Sequence, residues 1–183
     1  MRALCNVSRN LDDEQLLTLK NTGGVIQIVA YDGFVKTMKP DPPERATALA
    51  AAREEYDLPD GNRLGQRGRY QAALKALPPE KREQYAKTLA EIDRQLPGDP
   101  PASLKDFVDH IDYAVQLIGI DHVGISSDFD GGGGVMGWND AGETFNVTLE
   151  LVRRGYDENQ IAKFWGGNLL RVMENVQRTS SER

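Results

Sequence analysis

The run Val25-Ile26-Gln27-Ile28-Val29-Ala30-Tyr31 constrains this chain most. It is almost continuously apolar and β-branched, which predicts a strand buried on both faces, as in a parallel sheet covered by helices. A second run, Val123-Gly124-Ile125-Ser126-Ser127, starts behind His122 and leads into Asp128-Phe129-Asp130 and the glycines 131–134. Helical patterns lie before and after both. Asp12 and Gln15 form a capping-box pattern, with Leu11 placed to staple onto Leu16, for a short helix through Leu16, Leu17 and Leu19 that stops at 21–24. Ser103 and Asp106 open a helix over 104–118, in which Leu104, Phe107, Val108, Ile111, Val115 and Ile118 make one apolar stripe. Asn139 or Asp140 caps a helix to about Arg154. Asp157 caps a short helix ending at Gly166-Gly167. Asn168 is expected to cap the last helix, Leu169 to about Gln177, with 178–183 a frayed tail. This alternation predicts an α/β fold with right-handed crossovers. Two parallel strands cannot form a sheet buried on both faces, so the pattern reads as part of a larger α/β structure.

Between the two runs the character changes. Prolines at 40, 42, 43, 59, 78, 79, 97, 100 and 101 punctuate polar, alanine-rich stretches. Helices are expected near 44–56, 66–77 and 79–95, with Pro79 suited to a first turn. The segment of about 36–101 reads as a helical insertion, and a solvated decoration is favoured over a catalytic lid. The chain has 183 residues and a net charge of −6, with no basic block, which argues against a nucleic-acid partner. No apolar run approaches the length of a membrane span, and no apolar signal region opens the chain. The single cysteine, Cys5, excludes an internal disulfide framework and is read as a small buried apolar residue.

Chemistry collects at the C-terminal ends of parallel strands, and Asp128 falls at such an end. Residues 1–10, with Arg2 and Arg9, read as an active-site loop feeding a helix. Tyr31-Asp32-Gly33-Phe34 is a second rim loop. Asp128 and Asp130 also open a D-x-D-G pattern, but the Asp or Asn at the fifth position and the Glu at the twelfth that a calcium loop needs are absent. The glycines lack the motifs of a phosphate cradle. An Asp128 that merely caps a turn stays open on local sequence.

Several separated blocks occur in a telling order: Arg2-Ala3-Leu4-Cys5 through Arg9-Asn10-Leu11-Asp12-Asp13; residues 23–34; Asp109-His110-Ile111-Asp112-Tyr113; residues 123–132 with Asp128-Phe129-Asp130-Gly131; and Gly167-Asn168-Leu169-Leu170-Arg171-Val172. In them the chain resembles the C-terminal portion of the membrane (renal) dipeptidases, a family of zinc metallopeptidases. The resemblance implies a (β/α)8 TIM-type barrel, of which this chain is the last two strands and their helices. It implies two zinc ions at the C-terminal face and hydrolysis of dipeptides, often with a D-residue at the C-terminal position. By the same resemblance Arg9 binds the substrate's free carboxylate, for which a planar guanidinium fork is suited. Asp128 binds near the substrate amine and the metal-activated water and shuttles the proton. Asp130 is expected to be structural, or to support the site without touching substrate.

The family's zinc ligands (histidines, an aspartate and a bridging glutamate) are expected upstream on earlier strands. His110, inside the helix 104–118, and His122, at the start of a strand, are expected to be structural or surface groups. No zinc ion is expected to be fully ligated by this chain, which is therefore expected to be inactive alone. A full barrel takes about 250 residues. The expected partners are a dipeptide substrate and the N-terminal barrel half, with a homodimer admitted and the compartment open. The competing reading is a non-enzymatic half-barrel remnant that binds a partner or a small amino-acid ligand through Arg9 and Asp128. A third is a calcium module on Asp128 and Asp130.

Overall fold

The computed structural model describes residues 1–61 and 66–181, without the side chains of Arg67, Asp130 and Ser181. The chain runs α1 (Asp13–Asn21), β1 (Ile26–Val29), α2 (Asp32–Val35), α3 (Pro43–Glu55), α4 (Arg67–Ala76), α5 (Pro79–Gln95), α6 (Leu104–Ile118), β2 (Val123–Ser126), α7 (Thr144–Arg153), α8 (Glu158–Ala162) and α9 (Asn168–Ser181). It is an α/β chain. Two compact units are formed, one of Met1–Thr37, Pro101–Phe129 and Gly133–Arg183, the other of Met38–Pro100 and Asp130–Gly132.

In the first unit β1 and β2 pair in parallel, Ile26 opposite Val123 and Ile28 opposite Ile125. Side chains alternate along a strand, so this register puts Ile26, Ile28, Val123 and Ile125 on one face, with Ala30 beyond them. Ile28, Ala30 and Val123 are buried in the core, and Ile26 and Ile125 pack against it. Gln27, Val29, Gly124 and Ser126 take the other face, where Gln27 and Val29 are only half-buried. Within this chain β1 has one fully buried residue, Ile28, on the core face, while Ile26, Gln27 and Val29 are half-buried. Val29 extends the apolar run, but packing uses alternate residues.

Helix α6 gives the core more buried residues than any other element. It starts at a Ser103–Asp106 capping box and buries Phe107, Val108, Ile111, Ala114 and Ile118. Val115, at the edge of the stripe, is half-buried. Trp138 joins the same core, its ring 5.4 Å from Phe107 and 5.4 Å from Phe129. Arg154, just after α7, ties α7 to α6 through Asp109 at 2.5 Å, Asp112 at 2.6 Å and Glu150 at 3.1 Å.

The starts of both strands are strapped by the C-terminal helices. Asn168 is 2% exposed, and its amide donates to the carbonyls of Ile120 at 2.7 Å and Val123 at 2.8 Å. Arg171 donates to the carbonyls of Gly23 and Asp121. Asn168 has helical backbone angles and follows a π-helical segment, Lys163–Gly167, that joins α8 to α9. It therefore does not cap the last helix as expected: the helical path kinks two residues earlier, at Gly166, and the Asn168 amide is committed to the carbonyls of Ile120 and Val123. Helix α9 continues to Ser181, so residues 178–181 of the expected frayed tail are helical. Asp140 caps the single turn Ala141–Glu143, and α7 begins only at Thr144.

The second unit has its own small core of Ala52, Leu58 and Tyr85, against which Tyr56, Tyr70, Leu74, Leu77 and Leu89 pack. The hydroxyls of Tyr70 and Tyr85 lie 3.0 Å apart. Arg45 ties the start of α3 to the end of α5 through Asp41 at 2.8 Å, Asp93 at 2.7 Å and the carbonyl of Leu96 at 2.7 Å. Prolines in the first turns of α3 and α5 fix φ where no backbone donor is needed.

Candidate functional site

Because β1 and β2 are parallel, their C-terminal ends share one edge. Asp128 stands two residues past β2, exposed and with φ at 56°. This left-handed conformation is uncommon for any residue but glycine, though aspartate tolerates it better than most. Two amides close the chain back over it. Gly133 donates to the Asp128 carbonyl at 2.6 Å, and Gly134 donates to the Ala30 carbonyl, at the end of β1, at 2.5 Å. A Cβ at position 133 would lie 2.0 Å from the Ser127 carbonyl oxygen, so only glycine fits there. Phe129 turns the opposite way, into the ring of Trp138. The backbone of Asp128 is thereby held between a packed aromatic and a glycine buckle, with its carboxylate in solvent.

The second rim follows β1. Tyr31 and Phe34, at the turn formed by α2, hold their rings 4.7 Å apart. The segment before α1 is fastened to this turn. The Asn10 amide donates to the carbonyls of Cys5 at 2.9 Å and Phe34 at 2.7 Å. Cys5 is fully buried, its Sγ 3.7 Å from the Gly33 carbonyl. Arg2 pairs with Asp12 at 2.8 Å. Arg9 is exposed, and its Cζ lies 5.8 Å from the centre of the Phe34 ring. Arg9 and Asp128 thus stand at the same end of the two strands, one cation and one anion, both open to solvent.

The two histidines are placed elsewhere. His110 is 2% exposed. Its Nε2 lies 2.9 Å from the Val35 carbonyl and its Nδ1 2.5 Å from the Met1 amine. Burial pushes the imidazole pKa down to about 4. His122 sits at the opposite edge, where Nδ1 meets the Gly24 carbonyl at 2.8 Å. Among the described residues no three His, Cys, Asp or Glu side chains gather as a metal site. The described donors do not fit a zinc centre of their own, since His110 stands beside Val35 and His122 beside Gly24, and neither is joined by two further donors. The Asp130 side chain, on which a supporting role or a second calcium ligand was expected, lies outside the described residues.

The sequence puts Phe34 in a rim loop and Gly133 in the glycine run behind Asp128, but it does not mark the part either takes in the site. Four consecutive glycines predict a turn, not which of them meets a carbonyl. A phenylalanine five residues past a strand gives no sign of an arginine above it. Among the described residues no helix is long and apolar enough to cross a membrane.

The family model for membrane dipeptidase (peptidase family M19) matches residues 1–183. The crystal structure of the probable dipeptidase PvdM from Pseudomonas aeruginosa is similar at a TM-score of 0.62 and 42% identity, covering 97% of this chain and 43% of that one. Dipeptidase ataJ of Aspergillus terreus is 48% identical over 71 residues, 38% of this chain and 17% of that protein. An uncharacterized protein in the pqqA 5' region of Klebsiella pneumoniae is 25% identical over 174 residues, 95% of this chain and 43% of its own length. The chain spans less than half the length of each of these relatives. Matched along its whole sequence, and sharing its fold with PvdM at substantial identity, the chain belongs to the membrane dipeptidase family.

Proposed function

We propose that this chain is the part of a dipeptidase that supplies the substrate's carboxylate anchor, Arg9, and the proton carrier, Asp128. The observation that carries the reading is their common edge: both are exposed at the C-terminal end of β1 and β2, where α/β proteins place their chemistry. A dipeptide is a zwitterion. Its terminal carboxylate takes the guanidinium fork of Arg9, and its ammonium faces the carboxylate of Asp128. In hydrolysis the attacking water loses a proton as it adds to the peptide carbonyl, and the departing amine gains one. A carboxylate beside both atoms, as Asp128 is in this reading, takes the first proton and delivers the second.

Zinc belongs to this reading through the family, and its ligands lie outside the described residues of this chain. The remainder of a TIM-type barrel is the partner required, pairing along the open edges of β1 and β2. Residues 36–101 are then an insertion in that barrel.

The test is made in the zinc-loaded enzyme that contains this chain. Arg9→Ala raises KM by at least about tenfold with kcat little changed, as expected for loss of a charged hydrogen-bond anchor. Asp128→Asn lowers kcat by about a hundredfold or more at unchanged zinc content. Near-normal turnover in Asp128→Asn sinks the shuttle assignment. A folded wild type that binds dipeptides and never cleaves them points to the amino-acid-binding remnant instead.

A further inference from the structure

We propose that Phe34 and Asn10 are positioning residues that preset the Arg9 guanidinium for a carboxylate. The proposal rests on the reading of Arg9 as the anchor. An exposed arginine samples many rotamers and must surrender them on binding, so an arginine seated in advance binds more tightly. Phe34 provides the seat. Its ring face lies 5.8 Å from the Arg9 Cζ, within the range of a cation–π contact.

The seat is itself held from two sides. Tyr31 packs on the Phe34 ring at 4.7 Å. The Asn10 amide spends one proton on the Phe34 carbonyl at 2.7 Å and the other on the Cys5 carbonyl at 2.9 Å. One side chain, next to Arg9 in sequence, therefore joins the loop that carries the guanidinium to the turn that carries the ring.

The way Arg9 is held also matters. Arg2, Arg45 and Arg154 each pair with a carboxylate of this chain. Among the described residues Arg9 has no carboxylate partner, and a π-face holds it in place of one. A ring face orients a guanidinium without occupying its edge donors, which stay available to an incoming carboxylate. The ligand chemistry implied is a free terminal carboxylate.

The experiment compares a dipeptide with its C-terminal amide in the zinc-loaded enzyme that contains this chain, using Arg9→Ala as the reference. Phe34→Leu keeps the apolar bulk and removes the ring. It raises KM for the dipeptide about three- to fivefold, with kcat within about twofold, and leaves KM for the amide unchanged. Phe34→Tyr restores the wild-type KM. Asn10→Ser, which shortens the latch, moves KM in the same selective direction and carries the test if Phe34→Leu does not fold. Equal shifts for dipeptide and amide would reduce Phe34 to a structural residue and overturn the proposal. So would an unchanged KM in Phe34→Leu alongside a selective rise in Arg9→Ala. If Arg9→Ala itself shows no selectivity for the free carboxylate, the anchor reading falls first and takes the proposal with it.

Discussion

Asp128 is held at φ 56° by its surroundings, and residues kept in sparse backbone regions cluster at functional sites. The strain belongs to the backbone, so it has a signature apart from the carboxylate. Asp128→Ala, although at an exposed position, should destabilise the chain by about 1 kcal/mol, because alanine is less tolerant of the left-handed region. Asp128→Asn should change stability by less than about 0.5 kcal/mol. Urea unfolding separates the two, and an alanine variant as stable as wild type would remove the strain argument. His110 makes a second prediction at this scale. Its folded-state pKa of about 4 lies below the ordinary 6.5. Between those values the unfolded chain takes up a proton that the folded chain refuses, so stability is full above pH 6.5 and falls as pH drops toward 4. His110→Gln should lose this dependence. If the stability gap between wild type and variant is the same at pH 7.5 and pH 4.5, the buried-neutral account of His110 fails. The position of Asp128 at a strand's end was legible, because an apolar run that stops at a carboxylate and glycines marks a rim. The partners of Arg9 were not, since the Phe34 ring comes from a turn more than twenty residues away.

Helices that announce themselves through side-chain caps fall where the caps stand. Asp12–Gln15, Ser103–Asp106 and Asp157–Gln160 all form reciprocal capping boxes, because a cap is decided by residues within one turn. Arg154 acts between elements. Burial alone would lower its pKa, yet hydrogen bonds to Asp109, Glu150 and Asp112 raise it above the ordinary arginine value. Glu150 is 6% exposed, so removing Arg154 leaves a buried carboxylate with only the longer contact to Arg153, at 3.8 Å. Arg154→Met should therefore cost about 2 kcal/mol in urea unfolding, less than a fully buried pair because Asp109 and Asp112 can turn to water. A loss under about 0.5 kcal/mol would mean that the α6–α7 contact rests on apolar packing alone. Asn168 shows the limit of reading caps from sequence. An asparagine after two glycines has the composition of a cap, but the break falls at Gly166, Asn168 is already helical, and its amide serves two carbonyls at the start of β2.

At the scale of the molecule the first unit leaves apolar surface uncovered. Leu169, Met173 and Val176, on one face of α9, are 41%, 49% and 63% exposed, and Trp165 reaches α7 by donating to Thr148 at 3.0 Å. Apolar stripes of this kind are covered in stable proteins. The chain on its own should bind a hydrophobic dye and self-associate. Met173→Lys with Val176→Glu should weaken both, as read by dye fluorescence and sedimentation, whereas a monodisperse monomer without dye binding would contradict this. The sequence by itself determined the α/β class, the positions of the capped helices and the carboxylate at the rim, because periodicity and capping act within a few residues of the chain. Tertiary structure alone decided which face of β1 meets the core, which of four glycines lies against the Ser127 carbonyl, and which ring lies under Arg9. Each of these depends on atoms brought together by folding, and no local pattern encodes them.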